Sequence, residues 1–356
     1  MSTHAQAEHQ SRSSWFEGAA SRRAEFFAVY DIKPERNEAL SSDMAPRRYT
    51  RLFFGSGRTK LLMETPPDGH AEAFPGHEIE AVIRIGRLLK ENDFSTPEIY
   101  QAEPDKGILL IEDFGLENFA NYLNNNNYTD SSKALLSLRQ VPIEGLPVFE
   151  QSYIYKNARR FVDWFVPYVT GRQVTDMEIN AYHQMWREVS SALPRIPDGF
   201  IHGDIHPGNI MLLNGREGVG RIGLLDYQAA MQGPSIYDLV TLLEDARREV
   251  PHDIKKEALA VYYADMTAEE QAANRAWYDA LTLHFHMRMA GQFLRIALNF
   301  GKVDYLTYLP YLTRRLASSK MTAFQEFCHL CGVNWQLDLP DFRADDLRNL
   351  IREDAV

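Results

Sequence analysis

The sequence has few of the features that mark secreted, membrane-spanning or nucleic-acid-binding proteins. Its 356 residues include only two cysteines, and no apolar run approaches the roughly 18 residues that a transmembrane helix requires. The N-terminal stretch MSTHAQAEHQSRSS is polar and lacks the apolar core of a secretory signal. No cluster of Lys and Arg offsets the net charge of −11, which disfavours binding to nucleic acid or to anionic membranes. We therefore expect a cytoplasmic protein with no nucleic-acid, membrane or obligate protein partner.

The two cysteines, Cys328 and Cys331 in CHLC, have the spacing of a redox pair or of half a zinc site. A tetrahedral zinc site needs two further ligands, and no second pair of His or Cys with ligand spacing lies nearby. We therefore predict reduced, structural thiols in a helix.

Residues 15–110 combine short β-favouring runs with one helical pattern. The runs PRRYTRLFF, TKLLMET and GILLIED are bounded by Pro, Gly or Asp, as strands are. Between the second and the third, the stretch AFPGHEIEAVIRIGRLLKEND repeats its apolar residues with the period of a helix. This pattern predicts a small α+β N-lobe, preceded by a disordered segment over residues 1–14.

The rest of the chain is mostly helical in pattern. The Asn-rich stretch NYLNNNNYTDSSK (residues 121–133) is predicted to be a loop, because it offers little to bury in a core. Segments such as SYIYKNARRFVDWFVPYV and HFHMRMAGQFLRIALNF have helical periodicity. Within residues 200–228, the short apolar runs NIMLLN and RIGLLDY flank turns and predict a β-hairpin.

The stretch IHGDIHPGNIMLL (residues 201–213) places four polar side chains in a loop bent by Pro and Gly. Asp204 and Asn209 have the D-x-x-x-x-N spacing of a kinase catalytic loop, and His202 lies just ahead of them. A carboxylate such as Asp204 can orient an attacking hydroxyl group and accept its proton. The amide oxygen of Asn209 is a hard ligand that suits a metal bridging phosphates. His202 and His206 are the expected orienting or structural side chains.

A second metal-binding carboxylate is expected at the end of a short strand that follows this loop. Asp226 ends the apolar run of RIGLLDYQ and lies where a kinase has the aspartate of its D-F-G motif. Each of Asp204, Asn209 and Asp226 alone would more often be a turn, cap or strand-end residue. Together, at this spacing, they predict a phosphoryl-transfer site.

The motifs HGDIHPGNIM, GLLDYQ and GPSIYDLVTLL resemble those of the aminoglycoside phosphotransferase and choline kinase superfamily. The segments SSDMAPRRYTRLF, LLMETPPD, GILLIEDFG and HMRMAGQFLRIALNFGKVDYLTYLP are similar to segments of the bacterial anomeric N-acetylmuramate/N-acetylglucosamine kinases. The resemblance runs from about residue 40 to about residue 315. It implies a protein-kinase-like bilobal fold with ATP and Mg2+ as cofactors, a hinge at residues 111–115, and a larger, mostly helical C-lobe over residues 116–356.

The resemblance also implies roles for individual residues. The turn that covers the nucleotide would comprise polar and basic residues of the first hairpin: Ser41, Ser42, Asp43, Arg47 and Arg48. Backbone groups around Glu112 and Phe114 would bind the adenine edge. Asp238 matches a structural aspartate that follows the metal-binding one.

The chain departs from the kinase pattern in its phosphate-binding charge. The strand after the nucleotide-covering turn normally carries a lysine paired with a helix glutamate, and apolar residues occupy that place here. Lys60 lies at the start of the strand, with Glu78 or Glu80 as its candidate helix partner. Alternatively, Arg47 or Arg48 supplies the positive charge.

The acceptor pocket is expected among the C-terminal helices. The stretch HFHMRMAGQFLR contains His286, Arg288 and Arg295, and its two arginines lie on one face of a helix. This face is either a solvated basic surface or part of a pocket for an oxygen-rich or anionic sugar.

The sequence therefore predicts a small-molecule kinase. The resemblance implies that it transfers the γ-phosphate of ATP to the anomeric hydroxyl group of an amino sugar such as N-acetylmuramate or N-acetylglucosamine. An aminoglycoside or a choline-like metabolite is the alternative acceptor. A non-catalytic, nucleotide-binding pseudokinase is the alternative of another class, and the absent lysine favours it. The lack of an A-P-E motif after Asp226 argues against a protein kinase.

Overall fold

A computed structural model of the chain describes residues 14–40, 47–73, 76, 78–335 and 339–355. The predicted disordered segment 1–14, apart from Ser14, lies outside these residues. The chain divides into two compact units: Met1–Glu144 together with His202–Met231, and Gly145–Ile201 together with Gln232–Val356.

The strands and helices follow one another along the chain. The strands are β1 (Arg36–Leu40), β2 (Arg48–Phe54), β3 (Arg58–Glu64), β4 (Ile99–Glu103), β5 (Ile108–Glu112), β6 (Gly199–Ile201), β7 (Ile210–Leu212), β8 (Ile222–Leu224) and β9 (Met231–Gly233). The helices are α1 (Ala19–Val29), α2 (Ile79–Glu91), α3 (Asn125–Leu138), α4 (Gln151–Arg160), α5 (Val166–Thr170), α6 (Asp176–Ser191), α7 (Ile236–Leu243), α8 (His252–Tyr262), α9 (Ala268–Phe300), α10 (Leu309–Ala317), α11 (Thr322–Leu330) and α12 (Ala344–Leu350).

The first unit contains a five-stranded antiparallel sheet in the order β1-β2-β3-β5-β4. Alternate residues of its central strands point to one face, and Leu52, Leu62 and Leu110 are buried there against Phe26 of α1. The three predicted strands correspond to β2, β3 and β5. The predicted α+β fold is therefore confirmed.

Helix α2 follows the apolar period that predicted it. Its buried face includes Ile79, Ile85 and Leu89. The carboxylate of Asp68 accepts hydrogen bonds from the backbone N–H groups of Ile79 (2.8 Å) and Glu80 (3.2 Å), which caps the first turn of the helix. The predicted hairpin within residues 200–228 is also present, because β7 and β8 pair antiparallel.

The Asn-rich stretch is not a loop throughout, and this prediction was wrong for most of it. The side chain of Asn124 accepts a hydrogen bond from the backbone N–H of Asn127 at 3.0 Å and caps α3. Helix α3 then buries Tyr128, Leu135 and Leu138. Asn124 caps the start of the helix, and the buried apolar residues that stabilise the helix come later in the sequence.

The second unit is mostly helical and is organised around α9. The hydroxyl of Thr267 and the carboxylate of Glu270 form a reciprocal capping box at the start of α9. Gly291, midway along α9, allows α4 to approach closely, because a Cβ atom there would lie 1.9 Å from the carbonyl oxygen of Arg160.

The cysteine prediction is confirmed. Cys328 lies in α11 and Cys331 just after it, and both are free and buried. Burial raises the pKa of the Cys331 thiol to about 12, which keeps it protonated. Across the part of the chain that the structure describes, no helix is both long and apolar enough to cross a membrane.

Candidate active site

The loop between residues 202 and 209 is held in one shape by its own backbone and histidines. The Nδ1 atom of His206 accepts a hydrogen bond from the backbone N–H of Gly208 (3.0 Å), and Asn209 N–H donates to the His206 carbonyl oxygen (2.9 Å). Gly203 has a φ of +90°, and a Cβ atom there would lie 2.9 Å from the carbonyl oxygen of Ala229. Glycine is therefore required at this position for both conformation and space.

Asp204 and Asn209 are in direct contact. The Nδ2 atom of Asn209 donates to the carbonyl oxygen of Asp204 (3.0 Å) and to its carboxylate Oδ2 (3.2 Å). Asn209 is buried, whereas Asp204 is exposed. Because the amide nitrogen of Asn209 faces Asp204, its amide oxygen is the atom that this side chain can offer to a cation.

Asp226 lies beside this pair because the backbone of the residue before it is hydrogen-bonded to Asn209. Leu225 N–H donates to the carbonyl oxygen of Asn209 at 3.0 Å. Asp226 itself has the left-handed conformation with a φ of +56°, which a non-glycine residue seldom adopts outside a functional or turn position.

The charge of Asp226 is strongly influenced by its surroundings. Its side chain is 45% exposed, yet protein atoms crowd the rest of it, and its Oδ1 lies 3.5 Å from the Nη1 atom of Arg47. Desolvation raises the pKa of Asp226, the negative charge of Asp204 raises it further, and Arg47 opposes both effects. The net result is a raised pKa, as expected for two carboxylates that share a site.

Of the two neighbouring arginines proposed for the nucleotide, the structure brings only Arg47 to this cluster. Arg47 is 3% exposed and forms the ion pair with Asp226. Arg48 is exposed, and its guanidinium lies 3.8 Å from the centre of the Phe16 ring. The other predicted members of the nucleotide-covering turn, Ser41, Ser42 and Asp43, lie outside the described residues.

Lys60 does not take the place of the usual phosphate-binding lysine. Its ammonium group lies over the Tyr100 ring, 4.0 Å from the ring centre. The carboxylate of Glu78 instead accepts a hydrogen bond from the Gly76 N–H (3.0 Å), and within the described residues neither Glu78 nor Glu80 forms an ion pair with Lys60. In the register of the sheet, Lys60 is paired with Glu112 of β5.

The segment predicted as the hinge is anchored by a buried ion pair that sequence reasoning missed. The guanidinium of Arg51 donates to both carboxylate oxygens of Asp113, at 2.6 and 3.0 Å. Burial alone would raise the pKa of Asp113, but hydrogen bonds from Arg51 and from the Gly115 N–H lower it below its ordinary value. The signal available in the sequence was the apolar run GILLIED, which ends in the acidic residue Asp113.

Glu112 has fewer hydrogen-bonding groups available for a nucleotide than predicted. Its backbone N–H donates to the Glu98 carbonyl oxygen (2.8 Å), and its carboxylate accepts from Arg216 (2.8 Å). The N–H of Glu112 is therefore committed within the unit. Phe114 packs on β8, where a Cβ atom on Gly223 would lie 2.9 Å from its ring.

His202 is a buried, neutral residue rather than a charged one. It is fully buried, and its Nδ1 atom accepts a hydrogen bond from the Asp204 backbone N–H at 3.3 Å. Burial lowers the pKa of His202 to about 4, so the ring is neutral near pH 7. A neutral acceptor at this position helps to fix the backbone of Asp204.

In the second unit, the structure separates the predicted acceptor residues. His286 is buried on the inner face of α9, where its Nε2 atom lies 3.0 Å from the Glu244 carbonyl oxygen, and burial lowers its pKa to about 4. His286 is therefore a core residue, and its assignment to an acceptor pocket was wrong. Arg288 and Arg295 are half-buried. Asp238 is buried in α7, as a structural aspartate would be.

The residues around Asp204 fit a magnesium ion in the chemistry of their oxygen atoms. Within the described residues there is no group of three or more His, Cys, Asp or Glu that could hold a metal ion by itself. Magnesium commonly binds through one or two carboxylates together with substrate phosphates and water. The carboxylate of Asp226 and the amide oxygen of Asn209 are such ligands.

Comparisons with known proteins indicate a phosphotransferase. The model of a family described as the phosphotransferase enzyme family matches residues 38–279. An N-acetylmuramate/N-acetylglucosamine kinase of Neisseria meningitidis serogroup B is 28% identical over 315 residues, which cover 80% of this chain and 89% of that protein. A protein of the same name from Pseudomonas putida is 29% identical over 289 residues, which cover 76% and 80%.

Solved structures share the fold at lower identity. The GDP complex of an aminoglycoside 2'-phosphotransferase-IIIa mutant matches with a TM-score of 0.60 and 14% identity, over 84% of this chain and 98% of that one. The chain therefore has the protein-kinase-like fold that the sequence motifs predicted.

Proposed function

Because the chain belongs to the phosphotransferase enzyme family and is an ATP-dependent kinase that acts on a hydroxyl group, we propose that its acceptor is N-acetylmuramate or N-acetylglucosamine. The hydroxyl group phosphorylated is the anomeric one. The relatives of that name, which the chain resembles over most of their length, support this acceptor. The observation that carries the chemistry is the contact of Asn209 with the exposed carboxylate of Asp204, beside Asp226.

Asp204 is the catalytic base in this proposal. Its carboxylate accepts the proton of the sugar hydroxyl as the oxygen of that group forms a bond to the γ-phosphorus of ATP. The bond between this phosphorus and the bridging oxygen breaks, and ADP leaves. The hydrogen bond from Asn209 and the buried His202 keep Asp204 in place during this step.

Asn209 and Asp226 are the proposed ligands of magnesium. The ion supplies charge neutralisation of the phosphates when it is bound. Arg47 holds the carboxylate of Asp226 in position and favours its ionised form, and its guanidinium supplies the positive charge that a lysine usually provides. A pseudokinase would have no need of this complete set.

The acceptor can be identified by its product. We expect purified protein with Mg2+ and ATP to release ADP in the presence of either sugar, and 31P NMR to show a phosphate on the anomeric carbon. Asp204→Asn should abolish turnover. Asp93→Asn is the matched control, because Asp93 is also an exposed aspartate but is not part of the loop.

The panel must also include an aminoglycoside and choline. Turnover with one of these and with neither sugar would contradict the proposed acceptor and leave the kinase chemistry in place. ADP release that is equal in wild type and in Asp204→Asn would contradict the assigned base.

A further inference from the structure

The residue that follows Asp226 packs against helix α2 of the same unit. Tyr227 is 4% exposed, and the tip of its ring lies against Gly86, a buried residue of α2. A Cβ atom at Gly86 would lie 2.7 Å from the Tyr227 hydroxyl oxygen, a separation that Cβ atoms in proteins essentially never show. The Tyr227 ring therefore occupies the space that a side chain at residue 86 would need.

Thr96, which follows α2 in the chain, holds the same end of the ring. Its hydroxyl donates a hydrogen bond to the Gly86 carbonyl oxygen (3.1 Å), and it is also a hydrogen-bond partner of Tyr227. Thr96 is fully buried, so a displacement of the ring would leave polar atoms without partners inside the protein. The carbonyl oxygen of the preceding residue, Ser95, accepts a hydrogen bond from the Leu224 N–H (2.8 Å), which ties the same segment to β8.

Asp226 is therefore fixed through both of its neighbours in the chain. On one side, the Leu225 N–H donates to the Asn209 carbonyl oxygen at 3.0 Å. On the other side, Tyr227 is seated against α2. Asp226 has a φ of +56°, and a residue with a Cβ atom keeps this conformation only where its surroundings impose it. The contacts of Tyr227 supply one of the two constraints that flank this conformation.

We propose that Tyr227, seated against Gly86 and Thr96, is a positioning residue that holds the carboxylate of Asp226 in the orientation required to bind magnesium. The proposal rests on the proposed function for the role of Asp226 as a magnesium ligand. Tyr227 acts through the backbone that it shares with Asp226, rather than by contact with the metal. Its ring thereby links the position of α2 to the position of the metal-binding carboxylate.

The test measures the Mg2+ concentration for half-maximal binding of ATP, by calorimetric titration at a series of Mg2+ concentrations. Tyr227→Leu removes the ring and the hydroxyl, so it should raise this concentration by about 10-fold or more, the usual effect of losing an outer partner of a metal ligand. Tyr227→Phe keeps the ring and loses only the hydrogen bond. It should therefore cause a smaller rise, of about threefold.

Gly86→Ala approaches the same contact from the helix. The added Cβ atom would collide with the Tyr227 hydroxyl and displace the ring, so we expect a rise of about 10-fold here as well. In the double variant Gly86→Ala/Tyr227→Phe, the colliding oxygen is absent. The nearest ring carbons then lie 3.2 and 3.3 Å from the Cβ atom, and a shift of a few tenths of an ångström accommodates it. The double variant should therefore bind magnesium better than Gly86→Ala alone and about as well as Tyr227→Phe.

Gly220→Ala is the matched control. A Cβ atom there would have Ser95 and Asp93 as its nearest neighbours, at 3.7 and 3.8 Å, which are ordinary contacts. Its magnesium dependence should equal that of wild type. Thermal unfolding of every variant is the second measurement. If Gly86→Ala and Tyr227→Leu lower the unfolding midpoint but leave the magnesium dependence unchanged, Tyr227 only stabilises the fold, and the proposal is overturned. A double variant no better than Gly86→Ala would overturn it as well.

Asp226→Asn separates this proposal from the proposed function. Binding of ATP needs no acceptor, so an error in the assigned sugar does not affect the measurement. If Asp226→Asn weakens the magnesium dependence and the Tyr227 and Gly86 variants do not, the positioning role fails and the metal ligand stands. If Asp226→Asn leaves the magnesium dependence unchanged, the metal ligand of the proposed function is wrong, and the positioning role is overturned with it.

Discussion

Arg47→Gln is the change that most directly tests the assembly of the candidate site. Arg47 is buried and lies 3.5 Å from a carboxylate oxygen of Asp226. At this distance, opposite charges attract by about 1 kcal/mol in water and by about 5 kcal/mol near a protein surface. Because the side chain of Asp226 is 45% exposed, water screens the pair, and a value of about 1–2 kcal/mol is appropriate.

The sign of the effect follows from the proposed role of Asp226 as a magnesium ligand. The carboxylate must be ionised to hold magnesium, so activity is lost as the pH falls through the pKa of this group in the free enzyme. Burial and Asp204 already raise this pKa, and Arg47 lowers it. Removal of Arg47 should therefore move the acid limb of the kcat/KM profile to higher pH, by about one pH unit for about 1.4 kcal/mol. The maximum of kcat/KM should also fall by about 10²–10³-fold.

The assay is the pH dependence of kcat/KM for ATP at saturating magnesium. Arg48→Gln is the control, because Arg48 is the next residue in the chain but lies over the Phe16 ring. An acid limb of Arg47→Gln that superimposes on that of wild type would refute the assigned ion pair. An equal displacement in Arg48→Gln would show that general surface charge, rather than this contact, sets the pH dependence.

Four further changes test other contacts of the first unit. Gly203→Ala should destabilise the protein by about 1–3 kcal/mol, seen as a lower midpoint of thermal unfolding, because the residue has positive φ and no space for a Cβ atom. Asn209→Ala should raise the Mg2+ concentration for half-maximal activity by about 10- to 100-fold, and an unchanged value would remove Asn209 from the metal site. Arg51→Gln should cost about 3–5 kcal/mol in denaturant unfolding, because it leaves Asp113 buried without its partner. Arg216→Gln, which removes a more exposed pair, should cost less than about 1 kcal/mol.

The parts of the first unit that the sequence predicted are those whose signal is local. Strands β2, β3 and β5 are short apolar or β-favouring runs, and α2 repeats its apolar face over three turns. The Asp204 and Asn209 pair is likewise local, because both residues lie in one loop and touch each other. For such features, the spacing of residues in the sequence determines most of the three-dimensional arrangement.

The choice between Arg47 and Arg48 was not available from the sequence. Adjacent residues at a strand end point to opposite faces, so one of two neighbouring arginines must leave the site. Which one leaves depends on the register of β2 with β3, where Arg48 is paired with Glu64. This register is fixed by the packing of distant apolar residues such as Phe26. The spacing of residues in the sequence does not predict it.

Helix α3 was missed for a different reason. The sequence contained a helix signal, but the asparagine-rich composition led to the prediction of a loop. A run of consecutive asparagines indicates a loop by its composition. A single asparagine before an apolar helical pattern, however, is a favoured N-cap. Asn124 takes this role, and Leu135 and Leu138 supply the buried face. Position relative to the apolar residues, rather than the number of asparagines, decided the structure.

The packing of α4 against α9 in the second unit also could not be predicted from residue spacing. The helix period placed Arg288 and Arg295 on one face of α9, but it did not indicate which helix packs against α9. Gly291 decides this, because a Cβ atom there would lie 1.9 Å from the carbonyl oxygen of Arg160 at the end of α4, so the missing side chain lets the two helices meet.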